Sequence, residues 1–206
     1  NNYADGAGAI NLWDNDKVEI INSIFNNNNS SSGSGGAIYS SNTNSLFIDN
    51  STFDGNIALE ARGGAIRLNN TAEATIKNSI FNKNNAEDSG GAINSWNTDS
   101  LFIDNSTFDG NIALEGNGGA ISLSGDENST LYCEIKNTTF DKNIGNWGGA
   151  IGGFEPIMLL LDNVVGTNNT AREGGGFSEY CCGASVKVNK STFSNNLAKQ
   201  GGAING

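Results

Sequence analysis

Two short motifs recur in fixed phase along the whole chain, and a phase held that long leaves few folds open. The tetrapeptide Gly-Gly-Ala-Ile stands at residues 35–38, 63–66, 90–93, 118–121, 148–151 and 201–204. Ala7-Gly8-Ala9-Ile10 is a degenerate first copy, and Gly174-Gly175-Gly176-Phe177 fills the remaining slot. A Phe-x-x-Asn mark keeps the same spacing, at Phe25/Asn28, Phe53/Asn56, Phe81/Asn84, Phe108/Asn111, Phe140/Asn143 and Phe193/Asn196. Two independent marks in phase over the full length describe a solenoid, one coil per repeat.

Within residues 35–62, short β-prone stretches around Ala37-Ile38, Leu46-Phe47-Ile48 and Thr52-Phe53 are separated by Asn, Ser, Asp and Gly. Such runs between turn formers read as strands. No segment carries a sustained helical apolar stripe. The expected fold is all-β, a right-handed parallel β-helix of about seven coils of 26–30 residues, with three short strands per coil. At ~4.8 Å per coil it is roughly 34 Å long. The unbroken repeat makes residues 1–206 a single domain, expected to be a segment of a longer protein or a subunit of an assembly.

Stacking the coils gives the core columns. The tetrapeptide strand contributes Ile10, Ile38, Ile66, Ile93, Ile121, Ile151, Phe177 and Ile204. The second strand gives Ile20, Ile48, Ile76, Ile103, Ile135, Leu161 and Val188. The phenylalanines form the third column, with Val164-Val165 expected to stand in for Phe in one coil. Asn22, Asn50, Asn78, Asn105, Asn137 and Asn163 form a polar column, expected to be an inward ladder bonded side chain to side chain.

The string from Phe193 to Ile204, Phe-Ser-Asn-Asn-Leu-Ala-Lys-Gln-Gly-Gly-Ala-Ile, resembles the repeat of chlamydial polymorphic membrane proteins. It is similar also to β-helical adhesin-like surface proteins of archaea and protists. The resemblance covers every coil and implies an extracellular, cell-surface, structural or adhesive role. Both motifs are scaffold residues, so the resemblance speaks to fold more than to activity.

Composition narrows the function classes. The net charge is −11 with no histidine, which disfavours nucleic acid, whose phosphates call for a basic face. The longest apolar run, Ile157 to Leu161, is far too short for membrane insertion. Residues 35–62 and 90–117 differ at only five of 28 positions, the mark of a two-coil unit copied in tandem. Duplicated scaffold suits length or surface presentation better than one active site.

Candidate sites are few. Trp13, Trp96, Phe154 and Tyr180 share one slot, six residues after the start of each tetrapeptide. That slot faces outward, so the rings form an aromatic edge suited to sugar rings or a protein partner, or are unrelated residues in variable turns. Phe47 and Phe102 also point outward. Of nine Asn-x-Ser/Thr sequons, those at Asn28, Asn69, Asn128 and Asn168 fall in turns and are the expected glycan acceptors. Cys133 aligns with the inward Leu46 position. Cys181 and Cys182 are read as a vicinal disulfide or as a bond to another chain, with neither excluded.

No metal ligand set and no cofactor is expected. Pectin-degrading enzymes share this fold, but the recurring acids Asp49, Asp54, Asp104, Asp109 and Asp141 sit at scaffold positions, and no cluster interrupts the repeat. The expected function is an extracellular structural or adhesive β-solenoid, a cell-surface adhesin or fibre subunit without catalytic activity. A carbohydrate-binding or carbohydrate-active β-helix is the alternative. An ice-binding face is a third reading, carried by the column Ile24, Thr52, Ile80, Thr107, Thr139 and Thr192. Expected partners are further coils or subunits end to end, and glycans or surface receptors on the sides.

Overall fold

Corner residues set the shape of each coil. In the computed structural model, which describes residues 1–33, 35–126, 129–154, 156–179 and 183–206, Asn22, Asn50, Asn78, Asn105, Asn137 and Asn163 all have φ between 46° and 56°. Asn27, Gly55, Lys83, Gly110, Lys142 and Asn168 make a second left-handed corner. Asn enters this region at low cost because its short amide bonds locally. Between corners the chain is extended, and the strands stack in parallel into four sheets.

An eight-stranded sheet carries the tetrapeptide strands, from Ile10–Trp13 to Ile204–Asn205. A seven-stranded sheet runs from Lys17–Ile21 to Ser185–Asn189, and another from Ile24–Asn26 to Thr192–Ser194. These are the three expected ladders. The fourth is short, six strands from Tyr3–Ala4 to Ile144–Trp147. It forms the wall just before each Gly-Gly. Its strands are mostly two residues long, too brief for a period-2 pattern to announce them.

Register is one rung per coil. Ile38 faces Ile66, which faces Ile93, Ile121 and Ile151 in turn. Phe25, Phe53, Phe81, Phe108 and Phe140 stack with centroids 4.7–4.9 Å apart and planes within 11°. Face-to-face stacking is not what ring quadrupoles prefer; the strand spacing imposes it. The expected substitute in the next coil is corrected. Gly166, not Val164 or Val165, pairs with Phe140 on one side and Phe193 on the other. A Cβ on Gly166 would lie 2.7 Å from Phe193 Cδ1, so that ring fills the space. Val164 is buried in the corner slot held elsewhere by Ser51, Ser79, Ser106 and Thr138, while Val165 faces outward.

The inward polar ladder runs through the asparagines of the Phe-x-x-Asn mark. Asn84 Nδ2 donates to Asn111 Oδ1 and to the Phe53 carbonyl, both at 3.0 Å. Its Oδ1 accepts from Asn56 N at 3.0 Å and from Asn56 Nδ2 at 2.9 Å. The unit repeats from Asn28 to Asn196. The Asn22 column is also a ladder, but exposed: Asn50 Nδ2 donates to Asn22 Oδ1 at 2.7 Å, and Asn78 Nδ2 to Asp49 Oδ1 at 2.6 Å. The left-handed residue after each Phe-x pair resets the inside–outside alternation, which turns the following Asn inward. Glycine is demanded where coils approach. A Cβ on Gly91 would meet Gly119 O at 2.1 Å and Ile112 N at 2.5 Å.

Candidate functional site

One column of outward residues decides where the side of the solenoid opens. Immediately after the inward Ile of each tetrapeptide, the chain places Asn11, Tyr39, Arg67, Asn94, Ser122 and Gly152 in register. Asn11 is exposed, and in the next two coils Tyr39 and Arg67 fill this slot. Tyr39 is buried and meets Trp13 edge-on at 5.2 Å between centroids. The Arg67 guanidinium lies over the Tyr39 ring, 5.7 Å from its centroid, and Nη1 donates to the Gly33 carbonyl. Burial depresses the Arg67 pKa against the opposing influence of Tyr39, yet arginine stays charged throughout the accessible range.

From Asn94 onward the column shrinks, and a groove of about 350 Å³ opens across three coils. Asn94 and Ser122 make its floor. Trp96 and Phe154 line it from the tetrapeptide sheet, two rungs apart in one column with Ser124 between them. Trp147 comes from the opposite wall, at the end of Ile144–Trp147. The wall is irregular here. Ile112–Asn117 is longer than its neighbours, and its pairing with Ile144–Trp147 slips between Ala113 and Asn117. Gly116 lets that slip pass close to the previous coil, since a Cβ there would meet Ser89 Oγ at 2.2 Å. Gly152 has the same role below, where a Cβ would meet Trp147 O at 2.6 Å.

Two features give the groove its chemistry. Arg62 Nε and Asp88 Oδ2 are joined at 2.6 Å, and Ser89 Oγ donates to Asp88 Oδ1 at 2.7 Å, so this acid is engaged on both oxygens. Arg62 thus pairs with Asp88 of the next coil, and the Glu60 backbone N–H donates to the Glu87 carboxylate at 2.8 Å. Asn94 is 2% exposed and its Oδ1 is buried, with no hydrogen-bond donor in reach among the described residues. A buried acceptor left without a donor costs ~1–3 kcal/mol.

The expected aromatic edge is thus placed in part. Trp13, Trp96 and Phe154 stand in one register column, but Trp13 packs on Tyr39 three coils from Trp96 and lies outside the groove. Tyr180 lies outside the described residues, as do Asn128, Cys181 and Cys182. Among the other expected glycan acceptors, Asn28 is corrected: it is 3% exposed and bonded within the inner ladder, with no room for a glycan. Asn69 is half-buried and donates to Tyr39 Oη and Ser41 Oγ. Asn168 is exposed at a left-handed corner and donates to Asp141 Oδ1.

Cys133 is fully buried at the Leu101 position, as the alignment implies. Burial, and then Glu134, push its thiol far above the ordinary range. Phe102 is partly exposed and tilts against Tyr132. The recurring acids hold the outer ladders: Asp49, Asp54, Asp104 and Asp141 each accept an asparagine amide from a following coil. No group of three or more metal-ligating side chains occurs among the described residues. Among the described residues no helix is long and apolar enough to cross a membrane.

Sequence reasoning missed Trp147, Arg62, Asp88 and Asn94. Their signal was present: the outward slot after each tetrapeptide falls from Tyr and Arg to Asn, Ser and Gly. Only the wall sheet, invisible to strand patterning, shows that this slot is a floor.

A family model for the Chlamydia polymorphic membrane protein repeat matches residues 22–41, 99–124 and 190–206. These segments hold the first phenylalanine corner, the duplicated coil with its tetrapeptide and the last coil, and over them the chain is similar to that repeat. No curated protein and no solved structure matches the chain.

Proposed function

We propose that this β-solenoid is an extracellular structural and adhesive element, presented at a cell surface, that binds through its side and catalyses nothing. The observation that carries the reading is where the irregularity lies. Apart from Gly166 in the phenylalanine column, the inner columns, both amide ladders and the acids repeat coil after coil as scaffold, and among the described residues the outward face departs from the repeat at the lateral groove. A scaffold so uniform, with one face varied, suits presentation of a contact surface. The likeness of three of its segments to the Chlamydia polymorphic membrane protein repeat supports a surface setting. Sheet edges at either end of the coil stack recruit strands, and further coils or a neighbouring subunit are the proposed axial partners.

The test uses beads coated with the 206-residue chain, scored for retention on cultured epithelial monolayers against albumin-coated beads. Retention above albumin, competed by soluble chain, supports the reading. Retention equal to albumin refutes the adhesive part. Release of reducing ends or unsaturated products from pectin, alginate or chitin, with or without calcium, would refute the non-catalytic part. Neither the flat face bearing Thr52, Ile80, Thr107 and Thr139 nor an ice-binding role is favoured, because Asp54, Asp109 and Asp141 flank it in the same strands.

A further inference from the structure

We infer that the lateral groove is a binding site for a short neutral oligosaccharide, held between Trp96, Phe154 and Trp147 with one hydroxyl donated to Asn94 Oδ1. This rests on the adhesive reading in taking the side of the solenoid as the contact face, and adds the ligand class.

Four observations converge. The groove volume of about 350 Å³ lies at the small end of the ~300–1,000 Å³ range of small-molecule sites. Its lining alternates aromatic rings with polar groups, the combination that matches a pyranose, whose C–H faces are apolar and whose rim carries hydroxyls. Trp96 and Phe154 lie two rungs apart along the axis, ~9.6 Å by strand spacing, which is the reach of two linked rings. The buried Asn94 acceptor has no protein donor among the described residues, and a turn of its amide toward the groove it lines lets a ligand hydroxyl supply one.

Charge argues for a neutral sugar. Asp88 is committed to Arg62 and Ser89, leaving Glu115 as the other carboxylate lining the groove. An acidic glycan would bring negative charge to a chain already at −11 with the groove's arginine occupied. A peptide bound by strand addition would need free strand edges, whereas the strands flanking the groove are paired on both sides.

The experiment is isothermal titration calorimetry of the full chain with cellotriose, maltotriose, chitotriose and trigalacturonate. Trp96→Ala, Asn94→Ala and Phe47→Ala run in parallel, each with its thermal melt. Small residues already occupy the Asn94 slot at Ser122 and Gly152, so Asn94→Ala is expected to stay folded. The inference expects at least one neutral trisaccharide to bind, with affinity falling about tenfold or more in Trp96→Ala and in Asn94→Ala, ~1.4 kcal/mol each, and unchanged in Phe47→Ala. No binding by any neutral sugar overturns it. So does preferred binding of trigalacturonate, or binding indifferent to both groove substitutions. Beads that adhere to cells while no sugar binds sink this inference and leave the adhesive reading standing; beads that fail to adhere while a sugar binds do the reverse.

Discussion

Truncating one member of the inner amide ladder, Asn84→Ala, tests the scaffold where its bonds are densest. The wild-type amide makes two donations and accepts two bonds, all between 2.9 and 3.0 Å and all buried. After truncation Asn56 Nδ2 keeps its bond to the Phe25 carbonyl, and Asn111 Oδ1 still accepts from Asn84 N. One group is stranded, the Asn56 backbone N–H; the Phe53 carbonyl loses its amide donor but stays in the strand ladder with the next coil. At ~1–3 kcal/mol for the buried unsatisfied N–H and ~0.5–1.5 kcal/mol for the carbonyl's lost second bond, the cost is ~1.5–4.5 kcal/mol. The control is Asn78→Ala in the outer ladder, where the amide is exposed. Its cost comes mainly from placing Ala at φ 50°, ~1–2 kcal/mol.

The assay is guanidinium unfolding followed by far-ultraviolet circular dichroism, comparing midpoints at equal slope. Asn84→Asp adds a second readout. The buried carboxyl faces an oxygen and is disfavoured when charged, so its folded pKa lies above the unfolded ~3.9. The deficit should open as pH rises past the unfolded value and shrink on acidification. A loss in Asn84→Ala no larger than in Asn78→Ala would refute the ladder account.

Phe81→Ala should lose ~3–5 kcal/mol as a buried aromatic, whereas Asn82→Ser, on the half-exposed neighbour, should be nearly silent; equal midpoints would refute the assigned column. Gly91→Ala should prevent folding, because the new methyl would sit within contact distance of backbone in the next coil, and a cooperative melt like wild type would contradict it. With Cys181 and Cys182 replaced by serine, Cys133 should react with a thiol reagent only after denaturation, since burial raises its pKa; rapid native labelling would contradict its place in the core. At Asp141, burial pushes the pKa up but is outweighed by hydrogen bonds from Lys142, Asn168 and Thr167, leaving it low. Its stabilising effect is therefore present above the unfolded Asp value and is lost as pH falls through the lowered folded one. Carboxyl NMR titration should show the Asp141 pKa rising in Lys142→Met, and no rise would contradict that pairing.

How much of this was legible follows from what repeats. The tetrapeptide and phenylalanine columns could be read directly, because each sets one inward side chain per rung and parallel stacking keeps them in line. The polar ladders were harder to read. Asn22 and Asn28 look alike in sequence, and only the left-handed backbone at Asn27 decides that Asn28 points in. The Val164-Val165 pair misled because both residues are apolar, while the register hands the ring position to Gly166 and lets Phe193 fill it. At the groove, Trp96 and Phe154 were found by their shared slot. Trp147 escaped because it lies on a wall whose strands are too short to show a pattern, beyond a slip in register that no motif marks.

The most direct test of the coil stack, and so of where the groove lies, is a set of distances along one outward column. Asn26, Asp54, Asn82, Asp109, Asp141, Thr167 and Ser194 occupy successive rungs in register. Spin labels would be placed in pairs on this column in a chain with Cys133, Cys181 and Cys182 replaced, and read by electron–electron resonance. Distances should grow by ~4.8 Å per rung, reaching ~29 Å across the six steps from Asn26 to Ser194. Distances that fail to increase with rung number, or a broad distribution between the outermost pair, would contradict the solenoid itself.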